Sequence, residues 1–247
     1  MRCGVLMLNI ESNIADLRKD LRWYERDQIP FAVSLALNAV GTELIDANKA
    51  HMAAIFDRPT RWTLNAFHFR RASKVRQFIT IERKVGAAKR HYLETQDKGG
   101  VRPLGGWEKQ IAGRAPYSGT VGYIAGPKIK RDAFGNISRG QMQRVLSDIK
   151  AQGDSAANAT AASRKRRGMG GLGGYFIPRE GSRLKPGVYQ RKAGGKISRA
   201  LAFNSRTPSY KARLRFEETM LRKAEAVLPG ELTKAMQHAL ATARGKG

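Results

Sequence analysis

Three groups of basic side chains are the candidate functional residues of this sequence. The densest group is the unbroken run of Arg164, Lys165, Arg166 and Arg167. The second group is Lys128, Lys130 and Arg131, and the third is Arg183, Lys185, Arg191 and Lys192. Guanidinium and ammonium groups at this density can neutralise phosphates or carboxylates. These residues are therefore the predicted contacts to DNA or to an acidic protein surface, and the sequence leaves that choice open.

The charge of the chain is concentrated in its middle. The 247 residues hold 46 Lys and Arg against 20 Asp and Glu, a formal net charge of +26. Residues 61–135 carry +11 and residues 136–215 carry +15, whereas residues 1–60 carry −1 and residues 216–247 carry +1. The distribution predicts a strongly basic body between two near-neutral ends, and it argues against a basic tail.

No pattern in the sequence predicts a cofactor or a metal site. Residues 168–173 match G-x-G-x-x-G, but a dinucleotide fingerprint follows a strand, whereas four basic residues precede this one. Gly195 and Lys196 resemble the end of a phosphate-binding loop, but Ile197 stands where that loop has Ser or Thr. The four histidines lie far apart and Cys3 is the single cysteine, so a zinc site is not expected.

Acidic residues are too sparse in the basic region to predict an active site. Hydrolases that use metal ions or proton transfer need clustered carboxylates. Residues 136–215 hold only Asp148, Asp154 and Glu180. We therefore expect a protein that is not an enzyme. A nuclease-like site assembled from distant residues is the alternative that the sequence leaves open.

Aromatic residues alternate with arginines between residues 61 and 71. Single-strand-binding proteins interleave stacking rings and cations in this way. The other interpretation is that Trp62, Phe67 and Phe69 belong to the core while the arginines form a solvated face, and this is the one we favour.

Helices are predicted at both ends of the chain. Asn13 caps a first helix whose apolar stripe runs to Tyr24, and Pro30 opens a second helix that is apolar on most sides. Such a helix must be covered by the body or by another subunit. The C-terminal region is helical from Phe216 and is expected to break at Pro229.

The middle of the chain combines strands with one helix. Ser138 and Gln141 form the pattern of a capping box, which predicts a helix over 138–149. Residues 151–174 lack an apolar period and are expected to form a flexible loop or arm. Strands are predicted over 75–81, 120–129, 175–177, 188–191 and 197–203.

These elements predict an α+β fold in one folded domain. We expect two N-terminal helices, a small and mostly antiparallel sheet or partial barrel with a middle helix, and C-terminal helices. The predicted segments are a helical region 1–57, a basic body in two parts 58–150 and 175–213, the loop 151–174, and a helical region 214–247.

Cysteine content and hydropathy indicate the compartment. A single cysteine allows no internal disulfide, and the sequence shows neither a run of apolar residues long enough to span a membrane nor a signal-peptide cleavage site. We expect a protein of the reducing cytoplasm, or of a particle assembled there, with no membrane partner.

Several short pieces spread over nearly the whole chain form a recognisable set. The central piece is Asp132-Ala133-Phe134-Gly135-Asn136-Ile137-Ser138-Arg139-Gly140-Gln141. The pieces before it are Ile29-Pro30 with Ala36-Leu37-Asn38, and Phe56-Asp57-Arg58-Pro59-Thr60 with Thr63-Leu64. The later pieces are Gly174-Tyr175-Phe176, Leu184-Lys185-Pro186-Gly187-Val188-Tyr189-Gln190-Arg191, and Leu228-Pro229-Gly230-Glu231-Leu232 with Ala235, His238 and Leu240. Together these pieces resemble the phage minor tail protein Z family, the tail completion proteins of lambda-like phages and related prophage proteins.

The resemblance implies a structural protein of a bacteriophage virion, located at the head–tail junction or upper tail and made in the host cytoplasm. Its implied role is to complete the tail and to help position the DNA end. We expect a cyclic homo-oligomeric ring, six-fold or twelve-fold, with neck, portal or tail proteins and double-stranded DNA as partners. The alternative is a sequence-independent nucleic-acid-binding protein that is not part of the virion.

Overall fold

The computed structural model describes residues 22–84, 92–117, 119, 122–166, 174–192, 195–206 and 208–243. Helices and small antiparallel sheets occur together, so the predicted α+β class is confirmed. The chain divides into two compact units. Unit 1 comprises residues up to Ala54, Arg61–His91 and the chain from Phe216 onward, and unit 2 comprises Ile55–Thr60 and Tyr92–Arg215.

Unit 1 is built on two long helices and a hairpin. Helix α1 spans Ile29–Ile55, the short helix α2 spans Arg61–Leu64, and helix α7 spans Phe216–Ala243. Strands β1 (Phe67–Arg70) and β2 (Thr80–Arg83) pair antiparallel.

The sequence predicted that Pro30 opens a helix, and this prediction is wrong. The chain is already helical from Arg22, and a π-helical turn over Tyr24–Gln28 leads directly into α1. In this turn the N–H of Ile29 donates to the carbonyl of Tyr24, one residue further back than in an α-helix. The wider turn accommodates the proline ring and its missing N–H without ending the helix. The cap predicted at Asn13 lies outside the described residues.

Small side chains join the two long helices of unit 1. Ala32 and Ala36 of α1 pack against Ala235 and Ala239 of α7, and all four are buried. Further along, the core contains Val40, Leu44 and Met220.

The sequence predicted a break at Pro229, and this prediction is wrong because α7 runs through the proline as one helix. Met220 is buried before the proline, and Ala235 and Ala239 are buried after it. Packing on both sides of Pro229 therefore keeps the two halves in one helix, against the local cost of the proline.

The sequence predicted no segment able to span a membrane, but the helical stretch Tyr24–Ile55 is long and apolar enough to cross one. Length and composition do not separate a membrane span from the core helix of a water-soluble fold. Here 33% of the most apolar 18-residue window is buried within the structure.

The aromatic residues of unit 1 divide between core and surface. Phe67 is buried and stacks on Phe216 with ring centroids 4.4 Å apart, while the ring of half-buried Phe69 lies against Gly41. Their assignment to the core is confirmed for Phe67, but Trp62 is 67% exposed and that part of the prediction is wrong.

The strand expected over 75–81 forms only from Thr80 onward, as part of β2.

Unit 2 contains a four-stranded antiparallel sheet in the order β4–β7–β6–β5. Its strands are β4 (Gly122–Ala125), β5 (Gly174–Phe176), β6 (Gly187–Arg191) and β7 (Ile197–Asn204). All four lie where strands were predicted. The two-residue strands β3 (Gly100–Val101) and β8 (Ser209–Tyr210) form a separate pair, and the short helices are α3 (Glu94–Lys98) and α4 (Gly106–Ala112).

Helix α5 (Arg139–Asp148) covers this sheet and begins where its cap was predicted. The backbone N–H of Gln141 donates to Oγ of Ser138 at 3.3 Å. The reciprocal bond of a capping box is replaced, because the Gln141 side chain donates to the Tyr175 hydroxyl. Val145 and Leu146 are buried in the main core of the unit.

The first part of the predicted loop 151–174 is ordered. It contains a 3₁₀ turn over Ser155–Ala157 and helix α6 over Ala161–Arg166. The Ser147 hydroxyl donates to the carbonyl of Ala157 at 2.8 Å, and the N–H of Gln152 donates to the Asn158 side chain. Such polar bonds order a segment without an apolar period, so a search for hydrophobic periodicity does not detect them.

Candidate interface for an anionic partner

Unit 2 carries most of the charge of the chain. Over Ile55–Thr60 and Tyr92–Arg215 the sequence holds 26 Lys and Arg against 8 Asp and Glu, a formal net charge of +18 out of +26. All the basic residues singled out from the sequence belong to this unit. A polyanion or an acidic protein surface is therefore the partner that its electrostatics favour.

Several acidic residues of unit 2 bind its own backbone instead of its surface cations. Asp132 accepts the N–H groups of Phe134 and Asn136 at 2.9 and 2.8 Å, and Asp154 accepts that of Ala156. Their carboxylates hold turns together and are not held in hydrogen bonds to the exposed cations among the described residues of the unit.

The buried acids Glu108 and Asp148 have the same kind of role. Glu108 is 1% exposed, accepts the N–H of Gly105 and pairs with Arg102 at 2.6 Å. This pairing raises the pKa of Arg102 above its usual range. Asp148 is 3% exposed and accepts the N–H of Tyr175 at 3.1 Å.

The run Arg164–Arg167 is not an extended arm in the part that the structure describes. Arg164, Lys165 and Arg166 form the last turn of α6, and Arg167 lies outside the described residues. Lys165 and Arg166 are exposed, but Arg164 is half-buried and donates from Nη2 to the carbonyl of Asp148. Only the exposed members can meet a partner as freely as the sequence suggested.

The second basic group lies on the turn that follows β4. Lys128 and Lys130 are exposed. Arg131 donates from Nη2 to the carbonyl of Ala125 at 3.0 Å, so its guanidinium also holds the turn.

The third basic group is divided by strand β6. Arg183 and Lys185 precede the strand, whereas Arg191 and Lys192 stand at its end. Strand β6 is about 13 Å long at 3.3 Å per residue, and the two pairs lie at its opposite ends. Arg191 also packs over the ring of Phe176, 5.2 Å from its centroid. The structure thus places two separate basic pairs where the sequence suggested one cluster.

A cavity of about 410 Å³ gathers basic residues that the sequence analysis did not select. Arg114, Lys150 and Arg179 line it together with Arg164. Asp148 and Glu180 are its acidic lining residues. We call this the basic cavity. Arg114, Lys150 and Arg179 are single basic residues in three different segments, so no local pattern could have identified them.

A second cavity, of about 670 Å³, lies beside the pair of Glu108 and Arg102. Trp107 and Tyr123 meet in its lining with ring centroids 5.6 Å apart. Burial and the nearby Glu108 carboxylate raise the pKa of Tyr123 to about 12. This hydroxyl therefore holds its proton throughout the physiological range and is unsuited to act as a base.

In the part of the chain that the structure describes, no three His, Cys, Asp or Glu side chains are grouped so that they could hold a metal ion. No protein-family model, curated protein or solved structure matches the chain.

Proposed function

We propose that the chain is a structural, non-enzymatic subunit of a bacteriophage virion at the head–tail junction or upper tail. In this role it completes the tail and helps to position the DNA end. The proposal rests on the resemblance to the phage minor tail protein Z family. Contacts between two of the pieces that carry the resemblance also support the proposal.

Two of these pieces meet in unit 2. A Cβ atom on Gly135 would lie 3.3 Å from Nη2 of Arg58, and Gly135 has a φ of 80°. Asp132, in the same central piece as Gly135, contributes to the raised pKa of Arg58 after the larger effect of neighbouring Asp57. The packing of Arg58 against the central turn is the single observation that best supports the resemblance.

A third piece is equally constrained. Gly187 opens β6, and a Cβ atom there would collide with the carbonyl oxygen of Leu201 on the paired strand. The Tyr189 hydroxyl donates to the carbonyl of Lys185 at 2.9 Å. These residues fix backbone geometry, as expected of a family defined by structure and not by catalysis.

The partners follow from the same proposal. The subunits form a six-fold or twelve-fold ring whose neighbours are neck, portal or tail proteins. Unit 2 supplies the basic surface that faces double-stranded DNA or acidic neighbours, and the apolar helices of unit 1 supply subunit contacts.

Mass spectrometry of purified virions tests the proposal most directly. The chain should be present at a copy number that matches a ring. Particles from a deletion mutant should show unfinished tails or misplaced DNA ends by electron microscopy. Normal, infectious particles from that mutant would exclude the role.

The net charge of +18 on unit 2 also favours a second function, sequence-independent nucleic-acid binding outside the virion. Fractionation of an infected culture separates the two. A free binding protein stays in the lysate after particles are removed, whereas a neck or tail subunit sediments with them.

A further inference from the structure

Lys150, which follows the end of helix α5, has a backbone conformation that residues with a side chain rarely adopt. The N–H of Lys150 donates to the carbonyl of Ser147, and that of Ala151 donates to the carbonyl of Leu146. These two bonds form a Schellman motif, in which the position of Lys150 is left-handed and usually glycine. Lys150 has a φ of 61°. Backbone strain of this kind is concentrated at functional sites, so we expect the Lys150 side chain to have a function.

A second observation comes from Arg164, which lines the same basic cavity. Its Nε is buried and has no hydrogen-bond partner among the described residues. Its Nη2 is occupied by the carbonyl of Asp148. A buried N–H without a partner is costly, so a rotation of the guanidinium that brings Nε to an acceptor in the cavity would be favourable.

We infer that the basic cavity binds a phosphate monoester. Its cations are Arg114, Lys150, Arg164 and Arg179. With the two acids Asp148 and Glu180, the described residues of the lining carry a formal charge of +2. A phosphate monoester carries about −1.5 to −2 at neutral pH and balances this charge, whereas a carboxylate or a phosphodiester supplies only −1. Guanidinium forks also match the geometry of phosphate oxygens.

The organic part of the ligand follows from the rest of the cavity. Phe176, Ile177 and Pro178 form an apolar side of the lining. The volume of about 410 Å³ lies within the range of small-molecule sites, about 300–1,000 Å³. A ligand of nucleotide size fits this space, either a free mononucleotide or the 5′-phosphorylated end of a nucleic-acid strand. This inference stands on the cavity itself and does not require a place in the virion.

Binding of one oligonucleotide with and without a 5′-phosphate tests the inference. We expect the full-length protein to bind the 5′-phosphorylated form about tenfold more tightly, since a charge-assisted hydrogen bond is worth at least that factor. Lys150→Gly removes a cation and relieves the strained φ, so the melting temperature should stay the same or rise while the preference falls at least several-fold. Arg179→Gln should also reduce the preference.

Lys128→Ala is the matched control, because it removes one exposed cation of unit 2 that does not line the basic cavity. It should weaken the binding of both oligonucleotides equally.

Competition by adenosine monophosphate would support the inference and identify the free nucleotide as a source. If adenosine monophosphate fails while the 5′-phosphate preference holds, the inference stands with the strand end as ligand. Equal binding of the two oligonucleotides would overturn it, as would a preference that survives in both variants. A glutamate-rich peptide that competes as well as the phosphorylated strand would assign the cavity to an acidic protein instead.

Discussion

The two units differ in how they use acidic residues. Unit 1 is held by apolar contacts between long helices, with alanines where α1 and α7 meet, and Arg222 and Glu218 form an ion pair on its surface. Unit 2 has a core of the same apolar kind, but it also buries Glu108 and Asp148 and bonds both to its backbone. These two carboxylates are therefore part of the fold of unit 2, whereas cations such as Lys165 and Arg166 are exposed to a partner.

Removing the buried carboxylate of Glu108 should have the largest effect. Glu108→Ala leaves Arg102 and the N–H of Gly105 without their acceptor and should lower the free energy of unfolding by about 3 kcal/mol. Glu108→Gln keeps an acceptor and should lose less. Chemical denaturation of both variants measures the difference. A Glu108→Ala protein as stable as the parent would show that buried acids do not hold unit 2 together.

The alanine contact of unit 1 should be sensitive to size. Ala235→Leu introduces a large side chain into the contact with α1 and should cost about 2 kcal/mol. Ala226→Leu is the matched control, since Ala226 is exposed on the same helix. Thermal unfolding of the two variants measures the effect. If both lose the same stability, close packing of the helices is not what holds unit 1.

A tyrosine in unit 2 should show that a buried polar group needs a partner. The Tyr123 hydroxyl is buried and has no hydrogen-bond partner among the described residues. Tyr123→Phe should raise the free energy of unfolding by about 1 kcal/mol, whereas Tyr189→Phe, which loses the bond to Lys185, should lower it by about 1 kcal/mol. Chemical denaturation of the two variants measures both changes, and equal changes would contradict this assignment.

The same tyrosine predicts how stability depends on pH. The pKa of Tyr123 is raised to about 12 in the folded protein, against about 10 in the unfolded chain. The free energy of unfolding therefore does not depend on this group below pH 10 and decreases as the pH rises from 10 to 12, because the folded state holds the proton that the unfolded chain loses. Denaturation at a series of alkaline pH values should show a smaller decline for Tyr123→Phe than for the parent. An identical decline in both proteins would remove Tyr123 as its cause.

The smallest effect on stability is expected from the exposed cations of α6. Lys165→Ala with Arg166→Ala should change the free energy of unfolding by less than about 0.5 kcal/mol. The slope of DNA affinity against salt should nevertheless fall by about 2, one for each phosphate that the protein no longer neutralises. Arg61→Ala with Arg71→Ala removes the same charge from exposed positions of unit 1. An equal decrease of the slope in both pairs would remove the electrostatic distinction between the units.

Local signals were sufficient where neighbours in sequence determine the structure. The cap at Ser138 depends on a residue three positions away, and the strands at Gly187 and Ile197 are bounded by Gly and Pro turns. The prediction failed where distant contacts decide. Pro229 should end a helix locally, but the helix continues because Ala235 and Met220 are both packed.

The basic cavity shows the same limit for a site. The run that includes Arg164 was visible because its members are adjacent, whereas Arg114, Lys150 and Arg179 are single basic residues in unrelated segments. What brings them together is the end of α5 and the strand β5 beside it. The left-handed φ of Lys150 could not be predicted from the sequence either, because a lysine after a helix is common and does not indicate this conformation.

The division of the chain into units has a consequence for its synthesis. Unit 1 is discontinuous, since Tyr92–Arg215 of unit 2 interrupts it and α7 follows afterwards. A ribosome delivers the chain from the N-terminus, so unit 2 has all its strands before the first residue of α7 emerges. Helix α1 is made earlier, but its alanines have no packing partner until α7 has been synthesised. The segment made last therefore completes the unit that was begun first, and a nascent chain stalled before Phe216 should need a chaperone to cover α1.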